Sequence, residues 1–329
     1  MHKRKYLMIF LENIPIFLCL AIFLIFSILT PKFLSIGNLL DILTAVAYVG
    51  ILAVGMTFVI ITGGIDLSVG SVVYLSSLIP ALLIRDSALS VPIALIICLL
   101  VGAAIGAINA FFIVKMKMIP FLVTLCTMVG SRGLAIFLCN SQVVKFPREI
   151  TNLSIGKIMG IPLPIIFLAV VVAIAFFIQE KTPIGRQIYA IGNNIEVARK
   201  AGINTERVAA FAYIICGIFA ALGGIMSVFQ MGGVINASAG EGAEFQAIAA
   251  VVLGGASLSG GIGSVFPGTL LGAIIIKLLN VGLIYLGTDM YFQNIISALI
   301  ILLAVFIDSL KTSYIYKLGR KNIRIEEQK

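Results

Sequence analysis

Side chains able to carry acid–base, nucleophilic or metal chemistry are scarce in this sequence. The one histidine is His2, so histidine-based proton transfer inside the protein is nearly excluded. The five cysteines form no CxxC pair and are interpreted as small hydrophobic residues: Cys19, Cys98, Cys126, Cys139 and Cys216. We therefore expect no catalytic residue, no metal site and no enzymatic activity on this chain.

A few ionisable residues interrupt apolar stretches. A lysine within a membrane span costs at least about 2.5 kcal/mol, so Lys277 needs a partner, a wet cavity or a route to the interface. Glu244 is one possible ion-pair partner, and its position at the start of an apolar stretch also favours the helix dipole. Arg132 lies closer to the end of its stretch, which favours a structural role.

A first glycine-containing motif, TGGIDLSVGS, covers residues 62–71. Gly63 and Gly64 permit a sharp turn or a broken helix, and Asp66 or Ser68 could cap the helix that follows. Gly70 allows close approach of another helix. Two interpretations stay open and are compatible: a tight hairpin before a capped helix, and a broken element that lines a pathway.

A second motif, LGGASLSGGIGS at residues 253–264, echoes the first through the shared pattern GGxxLS. The echo is weak evidence for an internal repeat. A phosphate-binding loop is excluded, because the sequence contains no GxxxxGK[ST] and no strand–loop–helix context surrounds the glycines. The chain therefore has no visible means of hydrolysing ATP.

A polar island, defined as Glu180 to Arg207, contains a short predicted helix at about 195–201. Asn193 or Asn194 is a suitable N-cap and Gly202 a suitable stop. Three apolar residues are expected to share one face of this helix: Ile195, Ala198 and Ala201. A helix this short is not stable alone in water, so it must rest on its own membrane domain or in the groove of a partner.

Composition indicates which elements position these residues. The 329 residues are 60% hydrophobic and 11% charged, with a mean hydropathy of +1.15, as in polytopic membrane proteins. The net charge of +9 does not indicate nucleic acid, because the basic residues form no continuous patch. We predict an all-α integral membrane protein with about ten transmembrane helices in a single domain, 1–329. The predicted spans are 13–30, 41–62, 67–84, 91–114, 119–138, 163–179, 208–229, 244–259, 264–286 and 291–308.

Orientation follows from Lys and Arg. Most of the 23 basic residues lie in segments that share a side with the N-terminus, and basic loops stay in the cytoplasm. Both termini, a loop at about 180–207 and a tail at about 309–329 are therefore predicted to be cytoplasmic. The polar segment at about 139–162 faces outward and could dock an external partner. The N-terminal stretch lacks a small-residue cleavage site, which favours a retained span over a signal peptide.

Four strings of the sequence share one resemblance, and they follow each other in this order: GGIDLSVGS, PFLVTLCTMVGSRGLA, TPIGRQIYAIGNNIEVARKAGI and EFQAIAAVVLGGASLSGG. They resemble the permease subunit of bacterial ribose-type ABC sugar importers, over most of the chain. The resemblance implies a multi-pass protein of the bacterial inner membrane, with the ABC importer permease fold and a cytoplasmic coupling helix. It also implies a homodimer or closely related heterodimer in lipid, an ABC ATPase on the cytoplasmic side and an external sugar-binding protein. ATP and Mg would be held by the ATPase, and this chain would need no cofactor.

The resemblance assigns roles to residues of this chain. Those expected to contact the ATPase are Asn194, Glu196, Arg199, Ala201 and Gly202. Those expected to line or gate the pathway are Gly63, Gly64, Asp66, Ser68, Asn109, Glu244, Gln246, Lys277 and Asn280. Three positions depart from the family pattern: Gln246 replaces an acidic residue, Lys277 a small or apolar one, and Val281 a common asparagine. These departures argue against ribose itself without changing the transport class.

The resemblance implies a monosaccharide importer that works by alternating access without covalent chemistry. Two alternatives are kept. An ion-coupled secondary transporter would need intramembrane acids, of which only Asp66 and Glu244 qualify. An ABC permease for a nucleoside or another small polar solute would keep the same partners.

Overall fold

Apolar helices of membrane-spanning length dominate the fold. The computed structural model describes residues 14–87, 89–147, 150, 156–289, 291–293, 295–296, 298–299, 302–303 and 306. Among these, seven helices are long and apolar enough to cross a membrane: Ile36–Ile61, Val69–Ser87, Val91–Lys115, Pro120–Leu138, Leu163–Lys181, Thr205–Gln230 and Val265–Tyr285. The prediction of a multi-span helical membrane protein is confirmed at this coarser level.

The α-helices are labelled in chain order. They are α1 Ile14–Leu29, α2 Ile36–Ile61, α3 Val69–Ser87, α4 Val91–Ala110, α5 Pro120–Leu138, α6 Leu163–Lys181, α7 Pro183–Asn193, α8 Ile195–Lys200, α9 Thr205–Gln230, α10 Ala243–Leu253 and α11 Leu270–Tyr285. A 3-10 turn, Pro31–Leu34, precedes α2, and π-helical turns follow α4 (Phe111–Lys115) and precede α11 (Val265–Thr269).

Two predicted spans are shorter in the structure. Helix α1 has 16 residues, and α10, at the predicted span 244–259, has only 11 because the chain turns at Gly254 and Gly255. The described residues of the predicted span 291–308 are helical, whereas the rest of that span lies outside the described residues. The basic N-terminal residues and the predicted tail at 309–329 lie outside them as well.

Four two-residue strands qualify the all-α prediction. Strand β1 (Val144–Lys145) pairs antiparallel with β4 (Val234–Ile235), and β2 (Lys157–Ile158) pairs with β3 (Ile161–Pro162). The β1–β4 pair joins the segment after α5 to the segment after α9. Such short pairings between distant segments leave no alternating pattern for sequence reasoning to detect.

Helix α2 forms the centre of the bundle. From Val49 to Ile61 every residue is buried, and the helix packs against α6, α9, α10 and α11. A helix that is apolar on all sides is stable only when other helices surround it. Helix α2 therefore fixes the positions of the segments attached to its ends.

Helix α9 crosses α4 with almost no side chain between the two backbones. A Cβ atom on Gly102 would collide with the carbonyl oxygen of Gly217, and one on Gly106 would lie 2.5 Å from the carbonyl oxygen of Tyr213. Gly102 and Gly106 form a GxxxG pattern, which permits such approach in membranes. This crossing brings Asn109, on the last turn of α4, next to the break between α2 and α3.

Candidate functional site

The segment Thr62–Ser68 is non-helical backbone within the helix bundle. Gly63 ends α2 with φ +82°, its amide donates to Ile60 O at 2.9 Å, and the Gly64 amide donates to Val59 O at 3.1 Å. This is a Schellman termination, for which glycine is the favoured residue. A Cβ on Gly64 would collide with the hydroxyl of Tyr213, which lies eight residues, about 12 Å, along α9 from its start.

A buried hydrogen-bond network ties this broken segment to α4 and α5. Asp66 Oδ1 accepts from the Ser68 amide at 2.9 Å and from Ser68 Oγ at 2.6 Å, and Asn109 Nδ2 lies 3.4 Å from it. Asn109 Nδ2 also donates to Ser68 Oγ at 2.9 Å, and Thr127 Oγ1 donates to Asn109 Oδ1 at 2.7 Å. Asp66, Ser68 and Asn109 are fully buried. The network therefore locks the break in one conformation.

The Asp66 carboxylate is stabilised by hydrogen-bond donors rather than by a cation. The ion pairs found among the described residues are Arg85–Asp86 and Lys115–Glu206, both exposed. Asp66 accepts from Ser68, the residue just before α3. The carbonyl of Ser68 in turn accepts from the amide of Val72 in α3 at 2.8 Å. A buried carboxylate held in this way can accept hydroxyl donors if the segment moves.

A groove of about 420 Å³ runs between α4 and α5, and the network reaches its wall. Its lining is mostly apolar, including Ile105, Phe112 and Leu122, with hydroxyl groups from Thr127 and Ser131. Because Thr127 lines the groove and donates to Asn109, a molecule in the groove that contacts Thr127 would be separated from the network of Asp66, Ser68 and Asn109 by that one side chain. Sequence reasoning missed Thr127, since nothing in an apolar run distinguishes one threonine from another.

Glu244 marks a second buried polar site, which lies near the start of α3. It is buried in the first turn of α10, and a Cβ on Gly70 would collide with both its carboxylate and the carbonyl oxygen of Gly240. Arg132 holds the adjoining loop by donating to Ala237 O at 2.8 Å and Ala239 O at 3.2 Å. Arg132 thus has the structural role that the sequence favoured.

Lys277 lies in the middle of α11 and faces α10. Its Nζ is 3.5 Å from Gln246 Oε1, at the limit of a hydrogen bond. Gln246, rather than the suggested Glu244, is therefore its partner among the described residues. Asn280 is half-buried one turn further along α11. Two predicted pathway residues, Gln246 and Lys277, thus share the α10–α11 contact.

Between the end of α6 and the start of α9, the polar island folds as two helices, α7 and α8, of which the sequence predicted only the second. Asn194 caps α8 by accepting from the amides of Glu196 at 3.0 Å and Val197 at 3.1 Å. Gly202 ends it with φ +83°, and its amide donates to Arg199 O at 3.1 Å. The cap and the stop agree with the sequence analysis.

The apolar face predicted for α8 is wrong in detail. Ala198 is 3% exposed, but Ile195 is 50% exposed, and Ala201 is exposed too. Val197, 61% exposed, joins Ile195 on the outside. Ala198 alone seats the helix on the bundle, so the helix presents two apolar side chains beside Glu196 and Arg199 to its surroundings.

The predicted site residues fall into three groups in the fold. Gly63, Gly64, Asp66, Ser68 and Asn109 form the first; Glu244, packed on Gly70, forms the second; Gln246 and Lys277 form the third. Asn280 lies one turn beyond Lys277 on α11. Sequence reasoning missed Tyr189 and Gly192 of α7, which contact the two glycine-containing turns. Gly192 is the glycine of the string IGNN, where the sequence offered no reason for close approach.

Comparison with known proteins supports the assignment of these elements to a transport protein. Residues 38–305 match the family model described as the branched-chain amino acid transport system permease component. The chain is 39% identical over 306 residues to the ribose import permease protein RbsC of Escherichia coli K12, covering 92% of this chain and 94% of that protein. It is 40% identical over 293 residues to that of Bacillus subtilis, covering 88% and 90%.

A third relative is the galactose/methyl galactoside import permease protein MglC of Salmonella typhimurium, 35% identical over 329 residues, covering 94% of this chain and 97% of that protein. No solved structure matches the chain. Family model and relatives both cover the broken segment, the island and the α10–α11 contact. The chain therefore belongs to the family of membrane-embedded permease components of transport systems.

Proposed function

We propose that the chain is the transmembrane permease subunit of an ATP-driven ABC importer for a monosaccharide. The observation that carries the proposal is its 39–40% identity, over about nine-tenths of its length, with permeases named for ribose import. A separate ATPase would supply the energy, and an external binding protein would deliver the sugar. The galactoside relative widens the substrate class beyond ribose.

Helix α8 is proposed as the element that couples the permease to its ATPase. Its Ile195 and Val197 side chains are half exposed or more, although the helix has only six residues. A helix this short gains little from its own hydrogen bonds, so an exposed apolar pair is best stabilised in the groove of another protein. Asn194 and Gly202 would fix its ends, and Glu196, Arg199 and Ala201 would lie at the contact.

The pathway is proposed to run past the broken segment and the α10–α11 contact. Sugar hydroxyls both donate and accept hydrogen bonds, and Asp66, Asn109, Gln246 and Lys277 offer groups of both kinds. Irregular backbone at membrane depth is tolerated where it borders protein or water. Because selectivity can lie in the binding protein, weak and transient contacts on this chain are sufficient for alternating access.

The same proposal covers orientation and assembly. The positive-inside rule puts both termini and the island in the cytoplasm of a bacterium, with the permease in its inner membrane. A second permease copy, identical or closely related, would complete the pathway. The exposed apolar faces of α4 and α5 suit either that copy or lipid.

Copurification and ligand screening test the proposal. A tagged permease extracted in mild detergent should retain an ATPase with nucleotide-binding domains, and the binding protein encoded beside it should bind a monosaccharide in a thermal-shift screen. Binding of a nucleoside instead would move the substrate class and leave the ABC mechanism. Recovery of an active permease with no ATPase would favour the ion-coupled alternative.

A further inference from the structure

Three segments of the chain, one of them helix α7 of the island, meet backbone to backbone. The Gly261 amide donates to Ile61 O at 2.8 Å, which joins the turn at 257–263 to the last residue of α2. A Cβ on Gly192 of α7 would collide with Ile61 O and lie 2.6 Å from the Gly261 amide nitrogen. We name Ile61, Gly63, Gly192, Gly260 and Gly261 the glycine junction.

The glycine junction leaves little room for an added side chain at Gly192, Gly260 or Gly261. Gly260 has φ +87°, and a Cβ there would lie 3.0 Å from Gly192 O, 3.0 Å from Gly63 N and 3.1 Å from Ile61 O. Close-packed interiors have low compressibility and transmit displacement rather than absorb it. A shift of α7 must therefore shift both turns or separate them.

One side chain of α7 strengthens the contact by a hydrogen bond, and a second packs closely against it. The Tyr189 hydroxyl donates to Gly263 O at 2.6 Å, and a Cβ on Gly261 would lie 2.6 Å from Asn193 Oδ1. Burial raises the pKa of Tyr189 to about 12, so its phenol keeps the proton that this bond needs. Helix α7 is thus tied to the turn at 257–263 by a side chain as well as by packing.

The junction connects the exposed helix with the candidate pathway residues. On one side, α7 ends at Asn193, and Asn194 is the only residue between α7 and α8. On the other side, Gly63 leads directly to Asp66, and the turn at 257–263 separates α10, which carries Gln246, from α11, which carries Lys277. No long loop intervenes that could absorb a displacement.

We propose that the glycine junction, with Tyr189 as its side-chain tie, transmits displacement of α8 to the two broken segments and so couples the ATPase to the pathway. Gly192, Gly261 and Tyr189 are positioning residues that touch neither nucleotide nor sugar. The proposal rests on the proposed function, since it needs an ATPase seated on α8. In this proposal, the break after α2 and the turn at 257–263 move together with α7 because α7 packs against both.

The test uses the whole permease–ATPase complex in proteoliposomes, with sugar-loaded binding protein outside and ATP at the ATPase. Sugar uptake and binding-protein-stimulated ATP hydrolysis are measured on the same preparation. For Gly192→Ala, uptake should fall by about tenfold, within the range of coupling between sites, while ATP hydrolysis and the bound ATPase stay at wild-type levels. Gly37→Ala is the matched control, because a Cβ at Gly37 meets nothing within 4 Å.

Tyr189→Phe provides a second variant that keeps the packing of the ring. Loss of its one hydrogen bond should lower uptake per ATP by about threefold, whereas Tyr291→Phe, at an exposed ring, should not change it. Wild-type uptake in both junction variants would overturn the proposal, and so would a parallel loss of uptake and hydrolysis. A wild-type complex without ATP-dependent uptake would instead contradict the proposed function, which separates the two failures.

Discussion

Asn109 donates to Ser68 Oγ at 2.9 Å and thereby joins the last turn of α4 to the break between α2 and α3. The same amide accepts from Thr127, so one side chain connects three elements that are up to 59 residues apart in sequence. A break at membrane depth that is held by side chains, rather than by a helix, can be released without unfolding a helix. This is the property that a moving pathway element needs.

Replacing Asn109 by Leu should destabilise the protein more than replacing Thr127 by Val. Asn109→Leu leaves Asp66, Ser68 and Thr127 with one hydrogen bond fewer each inside the bundle, and each lost hydrogen bond costs about 0.5–1.5 kcal/mol. Thr127→Val removes one bond at a half-buried position. The sequence has no tryptophan, so unfolding is followed by maleimide-dye labelling of the buried thiols of Cys98 and Cys216. Equal melting temperatures for the two variants would contradict the network.

Lys277→Met should stabilise the protein and impair transport. The change keeps an unbranched side chain one atom shorter than lysine and removes a charge that costs at least about 2.5 kcal/mol in the membrane. Because its partner, Gln246, is neutral and 3.5 Å away, little electrostatic stabilisation is lost. A higher melting temperature together with lower uptake is expected. Wild-type uptake would mean that Lys277 lies outside the pathway.

Helix α8 should tolerate no reversal of charge and no distorted end. Glu196→Arg changes the exposed face, and Gly202→Arg puts a side chain on a residue with φ +83°, at a cost of about 1 kcal/mol. Both variants should insert in the membrane, lose the copurified ATPase and lose uptake. Gly287→Arg is the matched control, with φ +72° and open space around it. Normal uptake in the two α8 variants would refute its assignment as the coupling helix.

Local signals in the sequence predicted the parts of the structure that depend on local physics. Hydropathy predicted the long helices, since a helix that crosses a membrane needs a continuous apolar stretch as long as the membrane is thick. Asn193 or Asn194 was predicted as the N-cap of α8 and Gly202 as its stop, because capping and left-handed backbone are properties of single residues. In the structure the cap is Asn194. The echo between the two glycine motifs has only a partial structural counterpart. Gly63 and Gly255 both end helices in the left-handed conformation, but the shared pattern aligns Gly63 with Gly254, whose φ is −71°.

Tertiary register decided what the sequence did not predict. Thr127 contacts Asn109 because of the way α4 and α5 pack, which no sequence pattern specifies. Gly192 contacts Ile61 because α7 packs against the end of α2. The partner of Lys277 depended on a step of two residues along α10, about half a turn, which separates Glu244 from Gln246. The eighth span was predicted too long because apolar residues continue past Leu253 although the glycines end the helix.

The account is tested most directly by the energy source of transport. Proteoliposomes contain this chain and its copurified ATPase, and the external binding protein and a labelled monosaccharide are added outside. We expect uptake with ATP at the ATPase, none with a non-hydrolysable analogue, and no change when ion gradients are collapsed by ionophores. Uptake by the chain alone that follows an imposed proton or sodium gradient and ignores ATP would contradict the assignment as an ABC importer permease.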